Sequence, residues 1–279
     1  MRSLLRLAAL TLALPFTAGC LTTTALVKLR PDGSGTVEQT ILLNVKAIEM
    51  MGQMMGKALG AEVKQEQSSP PKSFSDVFSE ADFKKMAEQA GPGVRFVSST
   101  PLKEGDKQGA KIVFAFDDIN KIQVDPMNVK PSSDQGSGEK EASFKLTKLA
   151  NGNSLLTIDM PDKSKEGEEA KEPGETTPQA ATDNVSPEMA AMIKQMFAGM
   201  RIALEVEVEG HVVRTNSPFA SGSRITILDI DMDQLLQQED ALKKLPKLGP
   251  GTNMSQAMAL LKDIKGLKNS PPPVEVELK

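Results

Sequence analysis

Short stretches of alternating apolar and polar residues recur along the chain and predict many short β-strands. Residues 23–30 and 37–43 alternate on either side of Pro31-Asp32-Gly33-Ser34-Gly35, which combines the residue types that favour a tight turn. The chain is therefore expected to open with a β-hairpin. The same alternation predicts further strands at 94–99, 111–116, 119–124, 142–149, 154–160, 201–214, 224–230 and 274–278.

Short connections indicate how these strands pair. Lys103 to Gly109 and Asn151-Gly152-Asn153 read as turns too short to hold a helical crossover, so neighbouring strands are expected to be antiparallel. We interpret Gly210 as a β-bulge within one long strand over 201–214. The last strand, 274–278, is expected to pair within its own chain and not with the sheet edge of a partner.

Helical periodicity predicts two capped helices and three methionine-rich ones. The pairs Ser79/Asp82 and Asp231/Gln234 each have the spacing of a capped helix start. Other apolar stripes predict helices within 46–60, 187–200 and 249–267. Their methionines are Met50, Met51, Met54, Met55, Met189, Met192, Met196, Met200, Met254 and Met258. These patterns predict an α+β fold in which a curved antiparallel sheet is covered by methionine-rich amphipathic helices.

Composition divides the chain into segments. Residues 161–187 consist mainly of Glu, Lys, Pro, Thr and Gly, and such a segment buries too little apolar surface to offset the entropy of ordering it. We therefore expect a disordered acidic insertion there, and a smaller one at 130–141. The remaining segments are a signal peptide at 1–19, two parts of the α+β domain at 20–160 and 188–245, and a C-terminal helix and strand at 246–279.

The first twenty residues have the pattern of a secretion signal. Arg2 and Arg6 accompany a chargeless apolar run, 7–16, that is too short to span a bilayer. Small residues then lead to Gly19 and Cys20, the only cysteine in the chain. This ending resembles the lipobox of bacterial lipoproteins, and the resemblance implies cleavage after Gly19 and acylation of Cys20.

The lipobox resemblance implies a protein held at a membrane by acyl chains on Cys20. It also implies more than one chain, and two or more are needed for stable attachment. Leu21 stands where an aspartate would signal retention at the inner membrane, so we expect an outer-membrane lipoprotein that faces the periplasm. The alternative is an ordinary signal peptide, which would leave Cys20 as a free thiol.

Charge and aromatic content argue against several classes of partner. The formal net charge is −4 and no long basic run is present, so the chain lacks the positive surface expected of a nucleic-acid-binding protein. Ten phenylalanines are present, but no tryptophan or tyrosine, which disfavours glycan binding by ring stacking. No cofactor is expected.

Candidate catalytic and metal-binding motifs are weak. His211 is the only histidine, it falls in a predicted strand, and the chain has no G-x-S-x-G motif, so no catalytic residue is predicted. Asp229, Asp231 and Asp233 have the spacing of a calcium loop, but Gln234 stands where glycine is needed, and a capped helix start explains them better. Paired methionines would suit copper(I), although no histidine or cysteine lies near them, and no metal site is predicted.

Three segments resemble bacterial lipoproteins of the LppM type. They are Val27 to Val37, Gly210 to Asn216 and Gly222 to Thr226, which contain turns and strands. The resemblance implies an α+β domain in which an antiparallel sheet is covered by helices and held at a membrane. It carries over no catalytic residue.

These observations together predict a lipid-anchored envelope protein without enzymatic activity. Its expected role is binding or assembly, with a lipid or a hydrophobic peptide held between methionine-lined helices and the sheet. One alternative is a hydrolase of envelope polymers, which needs a converging acid, base and nucleophile. Another is a copper(I)-binding protein, which needs thioethers that converge on one point.

Overall fold

The computed structural model of the protein describes residues 21–44, 74–76, 78–126, 141–160, 194, 197–244, 260–261 and 264–279. The predicted signal peptide, Cys20, the insertion 161–187 and most of the three methionine-rich segments lie outside these residues. Predictions about them stay predictions.

The described elements are mostly strands, with few and short helices, and this confirms the α+β class. The helices are α1 (Glu80–Gln89), α2 (Met232–Leu235) and α3 (Glu239–Lys244), with 3₁₀ helices η1 (Phe74–Asp76) and η2 (Ile119–Lys121). The strands are β1 (Leu21–Leu29), β2 (Gly35–Leu43), β3 (Arg95–Glu104), β4 (Lys107–Phe116), β5 (Gln123–Val124), β6 (Ala142–Lys148), β7 (Ser154–Asp159), β8 (Arg201–Val208), β9 (Val212–Thr215), β10 (Ala220–Ser221), β11 (Arg224–Asp231), β12 (Leu267–Asn269) and β13 (Val274–Leu278). None of the helices in the described part of the chain is long and apolar enough to cross a membrane.

The strands form two sheets where the sequence predicted one. Sheet A has the order β10-β11-β8-β1-β2-β4-β3, with β12 alongside β11, and sheet B has the order β5-β6-β7-β13-β9. Among the described strands, every pairing is antiparallel except that of β1 with β8, which is parallel. Short connections could not reveal this pair, because six other strands and the long segments between them separate β1 from β8 along the chain.

The predicted N-terminal hairpin is confirmed. β1 and β2 pair without a register shift from Leu21↔Leu43 to Leu29↔Gly35. At the turn, the Asp32 carboxylate accepts hydrogen bonds from the backbone N–H of Ser34 at 2.9 Å and from its hydroxyl at 2.7 Å. The sequence pattern identified this element because turn chemistry and alternation agree.

The β3–β4 hairpin is longer than predicted. Residues 103–109 were expected to form a loop, but cross-strand pairing continues to Glu104 and Lys107. Only Gly105 and Asp106 remain to make the turn, and Gly105 has a φ of 57°, which glycine adopts readily.

The predicted strand 119–124 begins as a 3₁₀ helix. The Asp118 carboxylate accepts a hydrogen bond from the backbone N–H of Asn120 and caps η2, which competes with extension of the strand. Only β5 remains extended, and it pairs with β6.

The predicted strand 201–214 is two strands in different sheets. β8 ends in sheet A, and β9 begins four residues later in sheet B beside β13. Gly210, expected as a bulge, lies in this connection, where a Cβ would stand 3.0 Å from the carbonyl oxygen of Lys279. The strand-forming residues Val212 and Val213 follow β8 so closely that the sequence predicted one continuous strand.

The C-terminal residues belong to both sheets. β13 pairs with β7 and with β9, which confirms that the last predicted strand pairs within its own chain. Leu267 was expected on an amphipathic helix, but it starts β12, which pairs with β11 through Ile230↔Leu267.

Both sheets and α1 share one hydrophobic core. The inward side chains of alternate strand positions join in a single cluster, to which α1 adds Phe83, Met86 and Ala87. Fully buried members from sheet A include Val27, Leu29, Ile41, Ile112, Leu204 and Val206, and those from sheet B include Leu156, Ile158 and Val276. This core supports the edge of sheet A at which a groove is found.

One core position offers a test of the packing. The Thr23 hydroxyl is fully buried and has no hydrogen-bond partner among the described residues. A buried hydroxyl without a partner destabilises by about 1–3 kcal/mol, so Thr23→Val should raise the free energy of unfolding by about 1 kcal/mol. Urea unfolding measures this change. Thr22→Val is the matched control, because the Thr22 hydroxyl donates a hydrogen bond to the carbonyl of Gly199 at 3.2 Å. This variant should not raise the free energy of unfolding.

A phenylalanine-lined groove

An open groove of about 580 Å³ lies between the segment 74–83 and the β3–β4 hairpin. Small-molecule sites commonly have volumes of about 300–1,000 Å³ and mainly apolar linings. The helical side contributes three phenylalanines, Phe74, Phe78 and Phe83. The groove is therefore the described feature that best suits an apolar ligand.

The start of α1 positions the aromatic wall. The Ser79 hydroxyl accepts a hydrogen bond from the backbone N–H of Asp82, whose carboxylate accepts one from the backbone N–H of Ser79 at 2.8 Å. This capping box confirms the helix start predicted from the pair Ser79/Asp82. It also puts Phe78 just before the cap and Phe83 four residues after it, the two positions of a hydrophobic staple. Their ring centroids are 6.1 Å apart.

The staple is part of a ladder of five phenylalanine rings. Successive centroids are 4.7 Å apart for Phe74–Phe78, 6.0 Å for Phe83–Phe96 and 6.4 Å for Phe96–Phe114. These are the separations of interacting aromatic pairs. Phe78, Phe83 and Phe114 are buried, whereas Phe74 and Phe96 are half-buried, so the ladder connects the core with the surface.

The sequence patterns did not predict this site. The scarcity of aromatic residues disfavours glycan binding by ring stacking, but half of the ten phenylalanines gather in one ladder. The signal that would have found it is the staple, with an apolar residue on each side of the Ser79/Asp82 capping box.

The opposite side of the groove is formed by β3, an edge strand of sheet A that is poorly suited to pairing with a further strand. β3 is exposed along most of its length, and Ser99, Pro101 and Lys103 line the groove. Pro101 has no N–H to donate, and a register shift lies between Phe96 and Ser98. Proline and irregular register are two ways in which sheets avoid the addition of further strands.

Of the two charged residues that line the groove, only Glu80 has an ionic partner within the described part of the chain. Glu80 is paired with Lys84, with 2.7 Å between the carboxylate oxygen and Nζ. Lys103 is exposed and makes no ion pair or hydrogen bond with any residue that the structure describes. The uncompensated charge beside the apolar wall is therefore positive.

A second, smaller pocket of about 60 Å³ lies where β2, α1 and β5 meet. It is lined by Gln39, Asp125 and Glu141 among others. Burial and the nearby charge of Asp125 raise the pKa of the Glu141 carboxyl. This volume suits water molecules and is too small for an organic ligand.

The three aspartates with calcium-loop spacing have separate structural partners. Asp229 accepts two hydrogen bonds from Arg201 at 2.9 and 3.1 Å. Asp231 caps α2, as the capped-helix interpretation predicted, and Asp233 accepts from the backbone N–H of Gly199 at 2.6 Å. Among the described residues, no three His, Cys, Asp or Glu side chains converge on a metal-sized site.

His211 lies on the surface in the connection between β8 and β9, and not within a strand as predicted. Its backbone pairs with Lys279 through hydrogen bonds of 3.2 and 3.0 Å. Its imidazole makes no hydrogen bond to a serine or an acid in the described part of the chain.

One strongly perturbed carboxyl group stabilises sheet B. Glu277 on β13 accepts hydrogen bonds from Asn153 at 2.6 Å, Arg214 at 2.6 Å and Asn151 at 3.0 Å, and its side chain is only 7% exposed. These three donors lower the pKa of Glu277 from 4.5 to about 2. The cluster ties the β6–β7 turn and β9 to the C-terminal strand.

The lowered pKa predicts a pH dependence of stability. The ionised Glu277 stabilises the fold above pH 4.5, and this contribution is lost as the pH falls through about 2. We expect Glu277→Gln to unfold at lower urea concentration at pH 7, and to lose less of its remaining stability between pH 4.5 and pH 2 than the parent chain does. Equal acid losses for the two proteins would contradict the role of this cluster.

No protein-family model matches the chain, and no curated protein matches it. The NMR structure of the folded domain of LppM from Mycobacterium tuberculosis is similar over 77% of this chain and 84% of that domain, with 12% identity and a TM-score of 0.28. This weak match is consistent with the LppM-type resemblance of the sequence, but at this TM-score it carries no argument about function.

Proposed function

We propose that this protein is a lipid-anchored, non-enzymatic binding protein of the cell envelope that holds an acyl chain in the phenylalanine-lined groove. The observation that carries the proposal is the groove itself, with its wall of Phe74, Phe78 and Phe83. Burial of apolar surface is non-directional, so such a wall suits a flexible hydrocarbon chain without requiring matched hydrogen bonds.

An acyl chain fits the groove better than an extended peptide does. A peptide beside β3 would gain most from backbone hydrogen bonds to the strand edge. Pro101 cannot donate one, and the register shift after Phe96 interrupts the pattern. A hydrocarbon chain needs no such bonds. Lys103 at the same groove suits the carboxylate or phosphate that acyl chains commonly carry.

The lipobox resemblance supplies the cellular setting of the proposal. Acyl chains on Cys20 would hold the folded domain at a membrane, which we propose to be the outer membrane at its periplasmic face. A protein with this anchor would meet its ligand at a lipid surface. The proposed role is therefore to bind or present an envelope lipid and not to cleave it.

A series of fatty acids of increasing length tests the proposal. The full chain with Cys20→Ala is used, so that its own acyl groups cannot occupy the groove. Each added methylene should contribute about 0.8 kcal/mol, or roughly a fourfold gain in affinity, until the groove is filled. Calorimetric titration measures this series. Absence of binding, or an affinity independent of chain length, would contradict acyl-chain binding, and tighter binding of an apolar peptide would favour the peptide instead.

A further inference from the structure

We infer that the groove lies at the membrane-facing end of the domain, so that it exchanges its ligand directly with the bilayer that holds the anchor. The inference rests on the proposed function, because it takes Cys20 to be acylated and the groove to be the lipid site. In this orientation, the end of the domain that carries the groove contacts the lipid surface.

The strand register brings the anchor and the groove to the same end of sheet A. Leu21, the first residue of β1, is paired with Leu43, and Leu43 is paired with Gln108. Gln108 is in turn paired with Lys103. Gln108 and Lys103 both line the groove. We call the row of Leu21, Leu43, Gln108 and Lys103 the anchor end.

The separations along this row are short. Neighbouring strands are about 4.8 Å apart, so the three steps from β1 to β3 place Lys103 roughly 14 Å from Leu21. Cys20 immediately precedes Leu21, and consecutive Cα atoms are about 3.8 Å apart. An acyl chain attached to Cys20 would therefore start within about 18 Å of Lys103 at the groove.

No flexible linker separates the anchor from the fold. β1 pairs with β2 and β8 from its first two residues onward. Thr22 also donates to the carbonyl of Gly199, and Lys107 donates to the Thr22 hydroxyl at 2.9 Å. These bonds fix the residues that follow Cys20. A domain attached in this way cannot turn its anchor end away from the bilayer as a tethered domain can.

The opposite end of sheet A is far from the anchor. Leu29 is eight residues beyond Leu21 along β1, which is roughly 27 Å at about 3.4 Å per residue. Glu209 lies at this distant end, where its backbone N–H donates to Leu29 at 2.7 Å. At the anchor end, half-buried Leu21 and Met200 add apolar surface close to Cys20.

The absence of tryptophan from the chain makes this orientation measurable. Glu104→Trp places a probe at the exposed last residue of β3, next to Lys103 of the anchor end. Glu209→Trp is the matched control, because it replaces the same residue type at an exposed position of the distant end. Both acylated full-length variants are reconstituted into phosphatidylcholine vesicles that carry a brominated-lipid quencher.

We expect the Glu104→Trp protein to lose most of its tryptophan fluorescence in brominated vesicles and the Glu209→Trp protein to retain its own. Equal quenching, no quenching of the Glu104→Trp protein, or a reversed order would overturn the orientation. A mass spectrum that shows no acyl groups on the N-terminal peptide would overturn it as well. Fatty-acid titration of the Cys20→Ala chain is scored separately, so a groove that binds nothing would refute the proposed ligand while the quenching pattern still supported the orientation.

Discussion

Ser99→Trp is expected to weaken acyl-chain binding at least about tenfold, a change of about 1.4 kcal/mol in binding free energy. Ser99 lines the groove from β3, and its side chain is exposed, so the larger indole has no core to disturb. It would occupy space that the ligand needs, opposite the phenylalanine wall. Fatty-acid titration of the variant measures the effect.

Ser98→Trp is the matched control. Ser98 is the neighbouring residue on β3, it is also exposed, and it does not line the groove. Successive strand residues point to opposite faces, so the same indole at position 98 should leave the affinity unchanged. Equal losses from the two variants would indicate a general effect on the edge strand, and no loss from Ser99→Trp would place the ligand elsewhere.

Gly109→Ala is expected to lower the free energy of unfolding by at least about 4 kcal/mol, which is exceptional for a single substitution. A Cβ at this position would stand 1.8 Å from the carbonyl oxygen of Ile41, a backbone atom on the neighbouring strand β2. The clash can be relieved only if β2 and β4 separate at the pair Leu42↔Gly109. Urea unfolding and the yield of folded protein measure the loss.

Gly105→Ala is the control for this second prediction. It lies in the same hairpin, and no atom lies within 4 Å of a Cβ built there. Its positive φ of 57° should limit the loss to about 1–2 kcal/mol. Similar losses in the two variants would contradict the close approach of β2 and β4 as the reason that glycine is needed at position 109.

The sequence correctly predicted the elements at which turn or capping residues and the apolar pattern indicate the same structure. The turn at Asp32 and Gly33 combines with alternation on both sides, and the hairpin follows as expected. The helix start at Ser79 likewise follows from its capping box. In both cases the deciding contacts lie within a few residues of one another, where spacing along the chain is informative.

Which distant strands pair with one another could not be predicted from the sequence. Nothing near β1 indicates that its second neighbour is β8, because this pairing depends on contacts across the whole domain. The change of sheet at Gly210 is concealed for a similar reason, since strand-forming residues occur on both sides of it and the choice of sheet depends on distant partners. The groove itself requires the β3–β4 hairpin to meet the Ser79 helix start, and only the tertiary structure brings these together.

In the proposed complex, an acyl chain lies against the phenylalanine wall. The most direct measurement is an isotope-filtered NOE experiment on the Cys20→Ala chain with a ¹³C-labelled fatty acid. We expect contacts between the labelled methylenes and the ring protons of Phe74, Phe78 and Phe83. Contacts confined to other parts of the protein, or saturating binding without contact to these rings, would contradict it.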